Sequence, residues 1–185
     1  MQLEDMDNAE ATLKSAFETY PDNQDVVLNL IDFYMNNDKM EEARTYLDMA
    51  KSKDPNNYSL FWAEGVLYMR QEMYDEAITA LTRSIELKDD MYETQFNLGV
   101  CYYNKAVEMF QAANEIMDVD KYNVALSEAN GVFEKAIPYF EKSLQLKPDD
   151  EDSLRNLKEL YFRLRTIKPE YQAKYDEVMK KLGGN

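Results

Sequence analysis

One feature constrains this chain more than any other: its apolar pattern repeats every 34 residues. Tyr34, Tyr68 and Tyr102 stand 34 apart, as do Ala9, Ala43 and Ala77, and Leu13, Leu47 and Leu81. Ala16, Ala50 and Ser84 keep the same spacing, and Pro21 is followed by Pro55. A unit of this length is one supersecondary element, which buries its apolar face only against its neighbours. The chain is therefore expected to stack unit on unit rather than wrap one core.

Within a unit the apolar residues recur at three and four. Phe61, Gly65 and Tyr68 share one helical face, and Ala77, Leu81 and Ser84 share another. The small residues Gly65, Gly99, Ala43 and Ala77 let paired helices approach, and the large Tyr and Leu positions fill the space between them. Asp54-Pro55-Asn56-Asn57 ends one helix and caps the next. The chain has only five Gly and five Pro, too few for a β-rich fold with many tight turns. An all-α class follows.

The third unit breaks the period. Gly65 precedes Ala77 by 12 residues, but Gly99 precedes Ala136 by 37, so 25 residues are inserted. Beyond them the register resumes at an offset of 59: Ala77 to Ala136, Leu81 to Phe140, Ser84 to Ser143, Tyr102 to Tyr161. Helical spacing runs through the insert from Phe96 to Met117 and again from Tyr122 to Leu144. The pattern predicts two extended helices, each longer by about 12–13 residues, or roughly 19 Å. Asp118-Val119-Asp120 is the expected break, and Gly131 and Pro138 are expected to interrupt the return helix.

Glu64-Gly65-Val66-Leu67-Tyr68 with Tyr74-Asp75-Glu76-Ala77-Ile78, and Asn97-Leu98-Gly99-Val100-Cys101-Tyr102 with Lys135-Ala136-Ile137, resemble the tetratricopeptide-repeat (TPR) motif. The resemblance implies a right-handed α-α superhelix, here with one extended helical hairpin. On that register, residues 1–20 are the second helix of an incomplete repeat, and 21–54 and 55–88 are repeats. Residues 89–147 form a repeat carrying the insertion at about 104–132, and 148–185 form a C-terminal repeat with capping helices. The start in mid-repeat leads to the expectation of the C-terminal repeats of a longer chain, with Leu3, Met6, Leu13 and Phe17 uncovered. The insert and the Ile137-Pro138-Tyr139-Phe140 run are similar to TPR proteins of Gram-negative bacteria. That likeness implies a periplasmic location where the parent chain carries a signal peptide, and a cytoplasmic one otherwise.

Charge and chemistry narrow the function. The net charge of −15 repels phosphate backbones and anionic membranes, so neither nucleic acid nor a membrane surface is an expected partner. No stretch approaches 18 consecutive apolar residues. There is no His, and the single cysteine, Cys101, lacks partners for a disulfide or a zinc site. Asp149-Asp150-Glu151-Asp152 lacks the glycine and spacing of a calcium loop and reads as a helix start. No catalytic constellation, metal site or cofactor is expected.

In TPR proteins the first helices of successive repeats line a concave groove. Carried onto this chain, that face holds Asn29, Asp32 and Asn36, then Trp62, Val66 and Met69. Phe96, Asn97, Val100 and Tyr103 follow, then Arg155, Asn156 and Glu159. Asn29, Asn97 and Asn156 match the family's groove asparagine, whose amide bonds an extended peptide. Places that hold basic residues in carboxylate-gripping relatives hold Leu28, Trp62 and Phe96 here, so an apolar or aromatic anchor, or a cationic partner, suits the groove better. Glu64 and Gln95 occupy apolar places of the motif and are expected to bond each other. The expected function is a protein–protein interaction scaffold binding an unidentified protein or peptide. The alternative is a self-associating module, dimerising through the N-terminal helix or the hairpin. A non-catalytic regulatory part of an enzyme complex stands behind both.

Overall fold

The computed structural model describes residues 2–183, with side-chain surroundings from residue 5 onward; the side chain of Leu3, expected above to be uncovered, lies outside that description. It is all-α, and it divides into two compact units, Met1–Leu87 and Lys88–Asn185.

The first unit holds α1 (Gln2–Thr19), α2 (Gln24–Asn36), α3 (Met40–Lys53), α4 (Tyr58–Arg70) and α5 (Tyr74–Leu87). α2 pairs with α3 and α4 with α5, while α1 packs on α2. The helices begin where short polar side chains satisfy free N–H groups. Asn23 accepts from the N–H groups of Asp25 and Val26, and Asn57 from that of Ser59 at 3.0 Å. Both helix pairs turn alike. Asp38 and Glu72 adopt left-handed backbone at φ 57° and 58°, each followed by a residue whose N–H returns to the repeat tyrosine carbonyl, Lys39 to Tyr34 and Met73 to Tyr68.

Leu30, Ile31, Tyr34, Ala43 and Leu47 form the fully buried centre of this unit. Tyr34 stacks on Tyr46 at 5.4 Å, and Phe17 meets Tyr46 edge-on. Phe17 is therefore core, against the expectation that it is uncovered. Met6 is exposed and Leu13 half-buried.

The second unit holds α6 (Tyr92–Asn114), α7 (Val119–Leu146), α8 (Glu151–Leu164) and α9 (Tyr171–Lys181). α6 has 23 residues against 13 in α4, and α7 has 28 against 14 in α5, so most of the insert lengthens the return helix. Ala106, Ala113, Ala129, Phe133, Ala136 and Phe140 are buried, and the alanines let these two helices run close along their length. Asp118 caps α7 by accepting from the Lys121 N–H at 3.0 Å. Neither Gly131 nor Pro138 interrupts α7. Both lie on its exposed side, where a missing side chain or a missing N–H disturbs no packing.

Ser143, buried beside α8, lies 2.7 Å from the Ser153 hydroxyl. Asp150 caps α8 and is also held by Lys147 at 2.9 Å. Burial alone would push its carboxyl up, but the Lys147, Tyr92 and Ser153 hydrogen bonds outweigh that and hold it at about 2. α9 covers α8 with Tyr171 and Val178. Its Lys174 reaches back to Glu141 at 2.6 Å, which also accepts from the Tyr161 hydroxyl. The basic side of this last helix is therefore partly tied down.

Candidate protein-interaction surfaces

In the first unit, α2 and α4 present Asn29, Asp32, Asn36, Trp62, Val66 and Met69. The three α2 residues are exposed, at spacings of three and four that place them in one row. The row is braced at one end by Arg70 of α4, which donates to Asn36 Oδ1 at 2.7 Å and to the Met35 carbonyl at 2.9 Å. Asn36 in turn donates to Asp32 Oδ2 at 2.9 Å. The Asn29 side chain has no hydrogen bond among the described residues, so its amide is open.

Trp62 and Val66 are half-buried against the core of this unit. The Trp62 Nε1 is buried and has no hydrogen-bond partner among the described residues. An indole N–H in that state is an unmet donor. Glu64 accepts from Lys51 at 2.6 Å, and Gln95, in the second unit, donates to the Asp89 carbonyl at 3.0 Å. Each finds a partner beside its own helix, so neither needs the bond expected between them.

In the second unit, Phe96 and Val100 pack against the hairpin core. The Phe96 ring lies between Tyr92, at 5.8 Å, and Phe140, at 5.6 Å. Asn97 is half-buried with no hydrogen bond among the described residues. Tyr103 meets Phe133 edge-on at 5.5 Å. Burial raises its phenol pKa, with the Glu159 charge adding to the rise and Arg163 opposing it. So Tyr103 of α6 and Glu159 of α8 share one neighbourhood. Arg155 pairs with Glu151 one turn back at 2.8 Å. Asn156 donates to the Asp152 carbonyl at 2.8 Å, which commits part of the amide left open in Asn29 and Asn97. Cys101 is fully buried, which pushes its thiol up to about 12.

Three family models, each described as tetratricopeptide repeat, match residues 1–63, 63–115 and 126–150. The chain is a TPR protein. It is 26% identical over 156 residues to the TPR repeat-containing protein YpiA of Bacillus subtilis, covering 78% of this chain and 37% of that relative's length. Its fold is similar to a crystal structure of MamA, with a TM-score of 0.67 and 19% identity over 98% of this chain and 91% of that one. It is also similar to IFIT1 solved with m7Gppp-AAAA, with a TM-score of 0.70 and 19% identity over 92% of this chain and 35% of that one. The family is one of protein-interaction scaffolds.

Two arginines of this TPR chain were not among the residues the motif singled out. Arg70 organises Asn36, and the pattern gives no hint of it beyond a cation at the end of α4. Arg163 of α8 lies over the rings of Phe110 and Phe133, at 4.7 and 4.4 Å from their centroids. Its place next to Phe162 in a basic last turn looks like a helix C-terminus complementing the dipole. Only the arrival of the hairpin gives it a different surrounding.

Proposed function

We propose that this TPR chain binds protein segments through two faces, that of α2 and α4 in the first unit and that of α6 and α8 in the second. Trp62 would supply an aromatic anchor, and Asn29 and Asn97 would supply amides to the partner's backbone. The observation that carries this reading is the row of exposed polar side chains Asn29, Asp32 and Asn36, which Arg70 of α4 holds in place at Asn36 while the Asn29 amide stays open. Aromatic anchors commonly dominate such interfaces, at about 2 kcal/mol or more each. The RNA cap analogue bound to IFIT1 is not carried over, because a chain of net charge −15 repels phosphates.

The test is affinity capture with the whole chain, followed by titration of the purified partner against wild type, Trp62→Phe, Trp62→Ala and Phe96→Ala. Trp62→Ala is expected to weaken binding at least tenfold. Trp62→Phe, which keeps a smaller ring, should fall between. A partner that binds Trp62→Ala and Phe96→Ala as tightly as wild type would remove these faces as the site.

Self-association has its own supporting observation. Met117, Val119 and Val124 at the hairpin end are exposed by 100%, 71% and 60%. Sedimentation of Met117→Lys against wild type separates the two readings, since only an assembly built on the hairpin end would dissociate.

A further inference from the structure

Arg163 sits in an arrangement that its own helix does not explain. Glu159 lies one turn before it, the spacing at which a helical ion pair usually forms. Yet no carboxylate lies within ion-pair distance of the Arg163 guanidinium, and no hydrogen bond reaches that side chain, among the described residues. Its Nε is buried and unpartnered. The guanidinium instead lies over Phe110 of α6 and Phe133 of α7, at 4.7 and 4.4 Å. Tyr103, edge-on to Phe133, stands beside them.

A guanidinium stacks through its faces and donates through its edge. With rings against the face and Nε closed off, the two Nη groups are the donors left for an acceptor from outside. Their fork matches the two oxygens of a carboxylate. Aromatic walls also remove rotamer freedom from the arginine, so less is lost when an acceptor docks.

We propose that Arg163, framed by Phe110, Phe133 and Tyr103, receives an Asp or Glu carboxylate flanked by apolar residues on a protein segment. A monoanion suits the place better than a phosphate dianion. Glu159 and the net charge of −15 repel a doubly charged group more than a singly charged one, while the half-buried rings of Phe110 and Tyr103 favour apolar neighbours. This names the partner chemistry at one end of the α6 and α8 faces. It builds on the binding reading above but does not need Trp62 or Phe96 to act.

The experiment uses the whole chain labelled with 15N, following the Arg163 Nε–H resonance, assigned by its disappearance in Arg163→Lys. The probes are acetyl-Phe-Glu-Leu-amide, its neutral counterpart acetyl-Phe-Gln-Leu-amide, and inorganic phosphate, all at one ionic strength. The acidic peptide is expected to shift the resonance saturably and to bind at least tenfold tighter than the neutral one, with phosphate weaker than the acidic peptide. In Arg163→Met, ring resonances of Phe110 and Phe133 should show no preference between the peptides. Arg163→Lys, which keeps the charge but loses the fork, should retain under a third of the affinity, with circular dichroism confirming that it folds. Equal binding of the two peptides, phosphate binding as tightly as the acidic peptide, or a preference that survives in Arg163→Met would each overturn the proposal. None of these outcomes bears on the Trp62 and Phe96 titrations, so the two readings fail separately.

Discussion

Gly65 and Gly99 hold the same place in successive repeats, but the two units build different structures around them. A Cβ on Gly65 would lie 2.5 Å from Leu81 Cγ, inside the short α4–α5 pair. A Cβ on Gly99 would lie 3.0 Å from the Phe140 ring, at the base of the long α6–α7 pair. Leu81 and Phe140 occupy the same register, so each glycine makes room for its opposite number. Helix approach is thus set locally and is indifferent to how far the helices run on. Length is set by where the chain turns. Asp38 and Glu72 turn four residues after their repeat tyrosines. In the third repeat the residue at that place, once the 25 inserted residues are passed, is Gly131, and it lies inside α7. A residue type suited to a left-handed turn is stranded in a helix, with nothing within 4 Å of where its Cβ would be.

The largest expected effects fall on the two facing residues. Phe140→Ala should cost about 3–5 kcal/mol and Leu81→Ala about 2–4 kcal/mol, since both are fully buried. Urea unfolding followed by circular dichroism measures both, and a smaller loss for Phe140 would show that the hairpin base is loosely packed. The glycines come next. Gly65→Ala should cost about 2 kcal/mol, because branched Leu81 must move bodily in a closed core. Gly99→Ala should cost under about 1 kcal/mol, because a ring can tilt and alanine favours the helix. Trp62, the only tryptophan, reports the first change by fluorescence.

Acid separates the units more weakly. Glu10 is held at about 2 by Lys14 first and then Lys39, and Asp150 is also held at about 2. Both pKa values are lowered in the fold. Their contribution is therefore complete above the ordinary carboxylate range and is lost as pH falls towards 2. Asp150→Asn keeps a good cap but removes the charge. It should cost about 1 kcal/mol at pH 7 and little at pH 2, where about half of the folded-state carboxyl is already protonated, flattening the acid loss. Glu10→Gln should do less, and should lose its effect in high salt, because Lys14 is 45% exposed. Melting temperatures from pH 7 to pH 2 decide both.

The smallest effect changes sign. Gly131→Ala in the whole chain should stabilise by about 0.5–1 kcal/mol, as expected for an exposed helical glycine. Removing residues 106–130 would return Gly131 to the turn position, where the same substitution should destabilise by about 1 kcal/mol. Thermal melts of the four proteins test this, and a stabilising substitution in both backgrounds would show that Gly131 is not the displaced turn residue.

The helices, their caps and the hairpin were legible because they are written in short-range patterns. Asn57 starts a helix from the residues next to it, and the spacing from Phe96 to Met117 and from Tyr122 to Leu144 carries the extended pair. The surfaces were less legible. Asn29 and Asn156 read alike in register, yet one amide is open and the other is bonded to its own helix. Glu64 and Gln95 read as partners, yet each is satisfied within its own unit.

By itself the sequence determined that this is a TPR chain, which residues face inward, and where a repeat was lengthened. Apolar burial at fixed helical spacing dominates the energetics and recurs every 34 residues, so one unit explains the next. Only the tertiary structure decided the partners of the charged side chains. Lys51 took Glu64, Arg70 took Asn36, and Arg163 passed over Glu159 for two rings of the hairpin. An exposed ion pair is worth at most about 1 kcal/mol. Long flexible side chains thus choose among nearly equal options, and the choice falls to whichever surface the fold brings within reach.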